Sequence, residues 1–256
     1  MNIAIVTGAS SGFGKEFVKQ INEKYQLDEI WVVARRIDRL EELKKEYKTP
    51  IRTFGLDLTE RKSLDKIEKA VKEKNANVKL LVNNAGFGLF AAFKDGDLDT
   101  WLKMVDLNDK ALVGLTYLML PYMSEGSEII NIASMAAFQP IPYIGIYGAT
   151  KAFVLSFTRA LNFELKPKKI KAIAVCPFWT KTEFFDVAVK DDSVITYYSH
   201  FNTIEKVVTL ALKNIKKGKD VSISDFPVKF QRFLVKILPT KMVMKIWCKQ
   251  QKKPTK

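Results

Sequence analysis

Apolar residues along this chain fall into short continuous runs separated by longer segments of helical period. The first run, Ile3-Ala4-Ile5-Val6, is β-branched at three of its four positions, which favours a strand. Similar runs predict strands at residues 2–7, 29–34, 51–55, 79–83, 127–132 and 170–175, with a shorter one at 220–223. Apolar positions recur at helical spacing over residues 13–24, 38–47, 60–73, 98–123, 145–165 and 203–216. Strands as apolar as Lys79-Leu80-Leu81-Val82 and Ala172-Ile173-Ala174-Val175 indicate a sheet covered by helices on both faces. The alternation predicts an α/β fold, a doubly wound parallel sheet with right-handed crossovers. Ligands of such sheets lie beyond the carboxyl ends of the strands. Gly8, Asn84, Ser134 and Cys176-Pro177 are all expected to emerge there.

Two local patterns carry chemistry. The first strand breaks at Thr7-Gly8-Ala9-Ser10-Ser11-Gly12-Phe13-Gly14 and gives way to a helix. Strand, glycine-rich turn and helix form the setting of a phosphate-binding loop. Gly8 permits the sharp turn, Gly12 lets backbone approach a pyrophosphate, and Gly14 lets helix pack on strand. In the second pattern Tyr147 and Lys151 stand four residues apart, thirteen residues after Ser134. A helix puts positions i and i+4 on one face. An ammonium beside a phenol is expected to lower the tyrosine pKa and to suit it for proton exchange with an alcohol or ketone. Ser134 would hold the substrate oxygen.

Together these residues resemble the short-chain dehydrogenase/reductase family. Its Thr-Gly-x-x-x-Gly-x-Gly loop is matched at Thr7 to Gly14 and its Asn-Asn-Ala-Gly stretch at Asn83 to Gly86. Asn108, Ser134, Tyr147 and Lys151 match its catalytic set, in order. The resemblance implies cofactor contacts from Gly8, Ser10, Ser11, Gly12, Phe13 and Gly14, and from Asn84, Ala85 and Gly86. It also implies contact of Asp57 and Leu58 with the adenine, and of Tyr147 and Lys151 with the nicotinamide end. Asp57 could instead help start the next helix with Thr59, whereas Asn83 is expected to bond between strands. Pro177, Phe178, Thr180 and Thr182 follow the sixth strand, where the family usually has Pro-Gly. Phenylalanine disfavours positive φ, so ordinary dihedrals are expected there. Asn108 is expected to hold a water that returns the proton through Lys151.

An acidic residue after the second strand would favour NAD(H); this chain has Arg35 and Arg36. A guanidinium grips a 2′-phosphate by paired hydrogen bonds, so NADP(H) is the expected cofactor. Asp38 is read as a helix N-cap. Residues 178–203 are read as a substrate lid rich in aromatics, among them Phe178, Trp179, Phe184 and Phe185. With Phe138 and Tyr143 they suggest a large apolar pocket, although such rings also pack on one another. The expected substrate is a bulky apolar carbonyl or alcohol of hydroxysteroid, bile-acid or long-chain kind, with a β-ketoacyl thioester as alternative. A non-catalytic dinucleotide-binding regulator is the alternative of another class. His200, the sole histidine, is read as a solvated lid residue.

Composition changes the picture mainly at the C-terminus. A chain 47% hydrophobic and 27% charged has the material for a globular core. No linker-like stretch divides it, so one domain is expected over residues 1–225, followed by a tail at 226–256. The first strand leaves no room for a cleavable leader, and the apolar stretch 111–123 is too short to span a bilayer. Cys176 and Cys248 form neither a disulfide framework nor a metal motif. A reducing cytoplasm is the simplest setting. Of the net charge of +14, nine positive charges and no negative ones fall between Lys229 and Lys256. There, basic residues alternate helically with Phe230, Phe233, Leu234, Ile237 and Leu238, then with Met242, Val243, Ile246 and Trp247. Such a stripe can pack on its own domain or a partner subunit, lie on a membrane surface, or attract anionic substrates. No nucleic-acid-binding pattern accompanies it. The resemblance implies a homodimer or homotetramer, paired through the helices near 98–123 and 145–165.

Overall fold

The computed structural model describes residues 1–189, 194–199 and 201–255. Seven parallel strands form one sheet: β1 (Asn2–Thr7), β2 (Glu29–Ala34), β3 (Ile51–Gly55), β4 (Asn77–Asn83), β5 (Glu128–Ile132), β6 (Lys171–Cys176) and β7 (Val221–Ile223). Their spatial order is β3-β2-β1-β4-β5-β6-β7, the expected doubly wound topology. The order reverses between β1 and β4, which opens a crevice beyond their carboxyl ends.

Strand side chains alternate between faces, and the two cores follow from that. On one face Ile3, Ile5, Trp31 and Val33 pack against α3 (Arg61–Glu73), α5 (Ala111–Met119) and α6 (Gly145–Glu164). On the other, Ala4, Val6, Ile30 and Val32 meet α1 (Gly12–Lys24), α2 (Ile37–Leu43) and α8 (Ile204–Lys216). Ile3 to Val6 are fully buried, as a strand covered on both sides requires. Asn83 Nδ2 donates to Asn131 Oδ1 at 2.8 Å, bonding β4 to β5 as expected.

Element ends shift by a few residues, as where the helix read at 38–47 stops at Leu43, and two features of the sequence reading change in kind. The apolar period over 98–123 is not one helix. It divides into α4 (Leu98–Val105), a wide turn at Asp106–Lys110 with i→i+5 bonding, and α5. A wide turn adds a residue without breaking the apolar face, and such turns often serve functional sites. Asp38 is not an N-cap: α2 begins at Ile37, and Arg36 takes the cap position.

After β6 come α7 (Phe184–Ala188), α8, α9 (Phe226–Ile237) and α10 (Thr240–Gln250). The tail packs on its own domain, with Val228, Val243 and Cys248 buried. Among the described residues no helix is long and apolar enough to cross a membrane.

Candidate active site

One cavity of about 1040 Å³ runs along the carboxyl edge of the sheet. At one end Gly8, Ser10, Ser11, Gly12 and Phe13 line it, with Arg35 and Arg36 after β2 and Asp57 and Leu58 after β3. Asn84, Ala85 and Gly86 follow from β4, and Ser134, Tyr147 and Lys151 from β5 and α6. Pro177, Phe178, Trp179, Thr180, Thr182, Phe184 and Phe185 close it from the lid side.

Gly8 and Gly12 adopt φ of +64° and +52°, a region open mainly to glycine. A Cβ at Gly8 would lie 2.8 Å from Asn84 Nδ2 and 2.9 Å from Ala85 Cα, so the two strand-end loops touch. Thr7 Oγ1 joins them too, accepting from the amides of Asn84 (2.9 Å) and Ala85 (3.0 Å). Gly14 stands behind the cavity wall, where a Cβ would be 2.1 Å from Gly8 O. The turn thus presents the amino end of α1 to the cavity, and free amide groups there attract anions.

Arg36 reaches this turn: its guanidinium donates to Ser10 Oγ (3.1 Å) and Ser11 Oγ (3.2 Å). Glu183 holds Arg36 at 3.0 Å and Arg39 at 2.6 Å, a pairing that the sequence reading did not foresee. Asp57 accepts from Thr59 N (2.9 Å) and Thr59 Oγ1 (2.7 Å). Burial raises its pKa, but those bonds and nearby Arg35 hold it below the ordinary carboxylate value. Open glycine turn, helix end and guanidinium group together fit a phosphorylated dinucleotide.

At the other end Ser134 and Tyr147 share the cavity wall, and the serine hydroxyl is near enough to act on the phenol. Ala136 N donates to Ser134 Oγ at 3.1 Å, which leaves the serine proton free for another acceptor. Lys151 is buried, its Nζ donating to Ile132 O at 2.9 Å and standing 5.7 Å from the Tyr147 ring centre. The expected fall in the Tyr147 pKa is not found. Burial pushes it up to about 12, although Ser134 draws it back. Burial also pushes Lys151 down to about 8, against the pull of Asp109. A weakly polar interior penalises phenolate and ammonium alike.

Asn108 lies behind Gly86 rather than on the cavity wall. Its Oδ1 accepts from Phe87 N (3.0 Å), while Nδ2 donates to Phe87 O (2.9 Å) and Thr150 Oγ1 (3.1 Å). The side chain therefore braces the loop, and Oδ1, which accepts one bond there, keeps a second lone pair. Next to it, Asp109 Oδ1 is buried without a hydrogen-bond partner among the described residues. Burial pushes its carboxyl up to about 7, with Lys151 opposing.

Contrary to expectation, neither Phe138 nor Tyr143 lines the cavity. Phe138 packs under Arg232, with the guanidinium carbon 4.8 Å from its ring centre. Tyr143, at φ of +70°, turns toward Lys253. Phe178 does line the cavity and has no positive φ, in line with its replacing the glycine. His200 lies outside the described residues. The lid aromatics do both things expected of them. Phe184 lies tilted against Tyr147, with ring centres 5.4 Å apart, and Trp179, Phe185, Tyr198 and Phe201 pack on one another.

Several wall residues escaped the sequence reading. Phe90 sits 6.1 Å from both Tyr147 and Phe184. Leu234, Leu238 and Trp247 reach in from the tail helices. Trp247 Nε1 donates to Pro142 O (3.0 Å), and buried Gln251 holds the extended segment at Thr196 and Tyr197. Its Oε1 accepts from Thr196 N (2.9 Å) and Tyr197 N (3.0 Å), and its Nε2 donates to Tyr197 O (3.2 Å).

Residues 2–193 match the family described as short chain dehydrogenase. The chain belongs to that family. It is similar to the NADP-dependent 3-hydroxy acid dehydrogenase of Escherichia coli K12, 33% identical over 79% of this chain and 82% of that one. Among solved structures it resembles a short-chain dehydrogenase from Sphingobium yanoikuyae in complex with NADPH, at 27% identity and TM-score 0.78 over 93% and 97% of the two chains. It also resembles the bulky-bulky ketone specific alcohol dehydrogenase of Comamonas testosteroni, at 27% identity and TM-score 0.73 over 93% and 95%. The family members so matched are oxidoreductases, and this chain is one by the same membership.

Proposed function

We propose that this protein is an NADP(H)-dependent oxidoreductase interconverting a ketone and a secondary alcohol on a bulky apolar substrate. The observation that carries the reading is the Ser134–Tyr147 hydroxyl pair beside buried Lys151, in one cavity with the glycine turn. NADP(H), when bound, supplies or accepts the hydride. The turn from Gly8 to Phe13 holds the pyrophosphate. Asp57 and Leu58 meet the adenine, Asn84, Ala85 and Gly86 the ribose side, and Pro177, Phe178, Thr180 and Thr182 the nicotinamide side. Tyr147, protonated through neutral pH, gives its proton to the carbonyl oxygen during reduction. Ser134 donates to the same oxygen and stabilises its developing charge. Lys151, poised near 8, is the group from which Tyr147 recovers a proton. Asn108 keeps the Gly86–Phe87 loop in place beside it.

Arg35 and Arg36 are exposed at the end of β2 with no carboxylate in the acid's usual place, and this supports NADP(H) over NAD(H). Arg35→Ser/Arg36→Ser should raise KM for NADPH by roughly 10–100-fold, the worth of one or two charge-assisted hydrogen bonds. KM for NADH should change little. Initial rates with the two cofactors check this, and an unmoved KM for NADPH sinks the assignment.

Phe90, Phe178, Trp179, Phe184, Leu234 and Trp247 give the cavity an apolar wall that a large hydrophobic carbonyl fills better than a short polar acid. NADPH oxidation with steroid ketones, long aliphatic ketones, β-ketoacyl thioesters and short 3-oxo acids tests it. Bulky ketones are expected to show kcat/KM at least about tenfold above the short acids, since each buried methylene adds about 0.8 kcal/mol. Preference for thioesters would move the reading to a β-ketoacyl reductase. Firm NADPH binding without any turnover would favour a regulatory protein. Exposed Leu98, Leu102, Tyr117 and Phe163 on α4, α5 and α6 support pairing of copies through those helices.

A further inference from the structure

Helix α9 is apolar on two sides. Leu234, Val235 and Leu238 line the cavity, as one apolar face should. Phe226, Phe230, Phe233 and Ile237 form a second stripe at helical spacing, exposed at 77%, 51%, 56% and 58%. Met242 and Ile246 add exposed apolar surface on α10, at 48% and 41%. Single exposed apolar residues are ordinary, but a continuous stripe of aromatic rings marks a contact surface. Exposed Lys229, Lys236, Lys241 and Lys245 lie among these residues. Among the described residues none of the four has an ion-pair partner.

We infer that this face docks on an anionic lipid bilayer, with the apolar stripe sunk at the headgroup boundary and the lysines on the lipid phosphates. Charge selects that occupant. A second copy placed face to face would set lysines against lysines, because residues 229–256 hold nine Lys/Arg side chains and no Asp or Glu. An anionic membrane surface meets both the rings and the charges. Ile246 is exposed and also lines the cavity, so the cavity rim belongs to the docking helices. An apolar ketone dissolved in the bilayer would reach Tyr147 from there; this last step alone rests on the proposed substrate class.

The test is sedimentation of the full chain with vesicles of phosphatidylglycerol and phosphatidylcholine, against vesicles of phosphatidylcholine alone. Binding to the mixed vesicles is expected to be at least tenfold stronger and to weaken in high salt. The variant Phe226→Ser/Phe230→Ser/Phe233→Ser/Ile237→Ser should lose at least tenfold in binding while oxidising NADPH normally with a water-soluble ketone. Lys229→Gln/Lys236→Gln/Lys241→Gln/Lys245→Gln should lose as much, which keeps the test open if the first variant does not fold. Equal or absent sedimentation of the wild type on both vesicles overturns the inference. So does a stripe variant that still binds vesicles while analytical ultracentrifugation shows a dimer falling to monomer. Neither readout depends on which ketone the enzyme prefers.

Discussion

Tyr147→Phe should lower kcat for ketone reduction on the order of 10²–10⁴-fold, the usual worth of a positioned general acid. Only the hydroxyl is lost. The ring keeps its packing against Phe90 and Phe184, at 6.1 Å and 5.4 Å, so the cavity wall should survive. NADPH affinity, measured by fluorescence titration, should stay close to wild type because the glycine turn and Arg36 are untouched. The split between turnover and binding is the diagnostic result. If kcat remained near normal, another group would be delivering the proton. The high pKa of Tyr147 adds a sign to this prediction. With its phenol held up to about 12 by burial, wild-type reduction should not lose its acid between pH 6 and 8. A fall in kcat with the tyrosine's own titration in that interval would contradict the burial of the hydroxyl.

Gly14→Ala should damage both stability and cofactor binding. Its Cβ would come within 2.1 Å of Gly8 O and 2.8 Å of Ala9 Cα. Both contacts are backbone, so no side chain can swing aside. Overpacking of this kind costs about 1–3 kcal/mol. At about 2–4 °C per kcal/mol for a chain of this size, the thermal midpoint should fall visibly. Movement of Gly8 would also disturb the turn that faces the cavity, so NADPH titration should report weaker binding. Gly145→Ala is the control, since nothing lies within 4 Å of the added carbon. Calorimetry that found the two variants equally stable would remove Gly14 from its packing role.

The sheet was readable because a strand buried on both faces has to be apolar at nearly every position, as Ile3 to Val6 are. The glycine turn was readable for a similar reason: few residues other than glycine accept φ near +60°. What failed was orientation. Phe138 and Tyr143 lie within nine residues of Tyr147, yet nearness in sequence does not set the direction of a side chain. The wide turn at Asp106–Lys110 hid because the apolar pattern continues through it. Spacing correctly put Lys151 beside Tyr147, but spacing carries no information on burial, and burial controls both pKa values. The tail showed its amphipathic period, but a helix apolar on two sides does not announce which side turns inward.

Gln251 links two parts of the chain that the sequence keeps far apart. Three hydrogen bonds tie its carboxamide to the segment at Thr196 and Tyr197. The roof over the cavity therefore cannot lift at one hinge while α10 stays still. Either those bonds break, or both segments swing as a unit, and for an enzyme of the proposed kind the rate of product escape should then follow the fit of the Gln251 carboxamide.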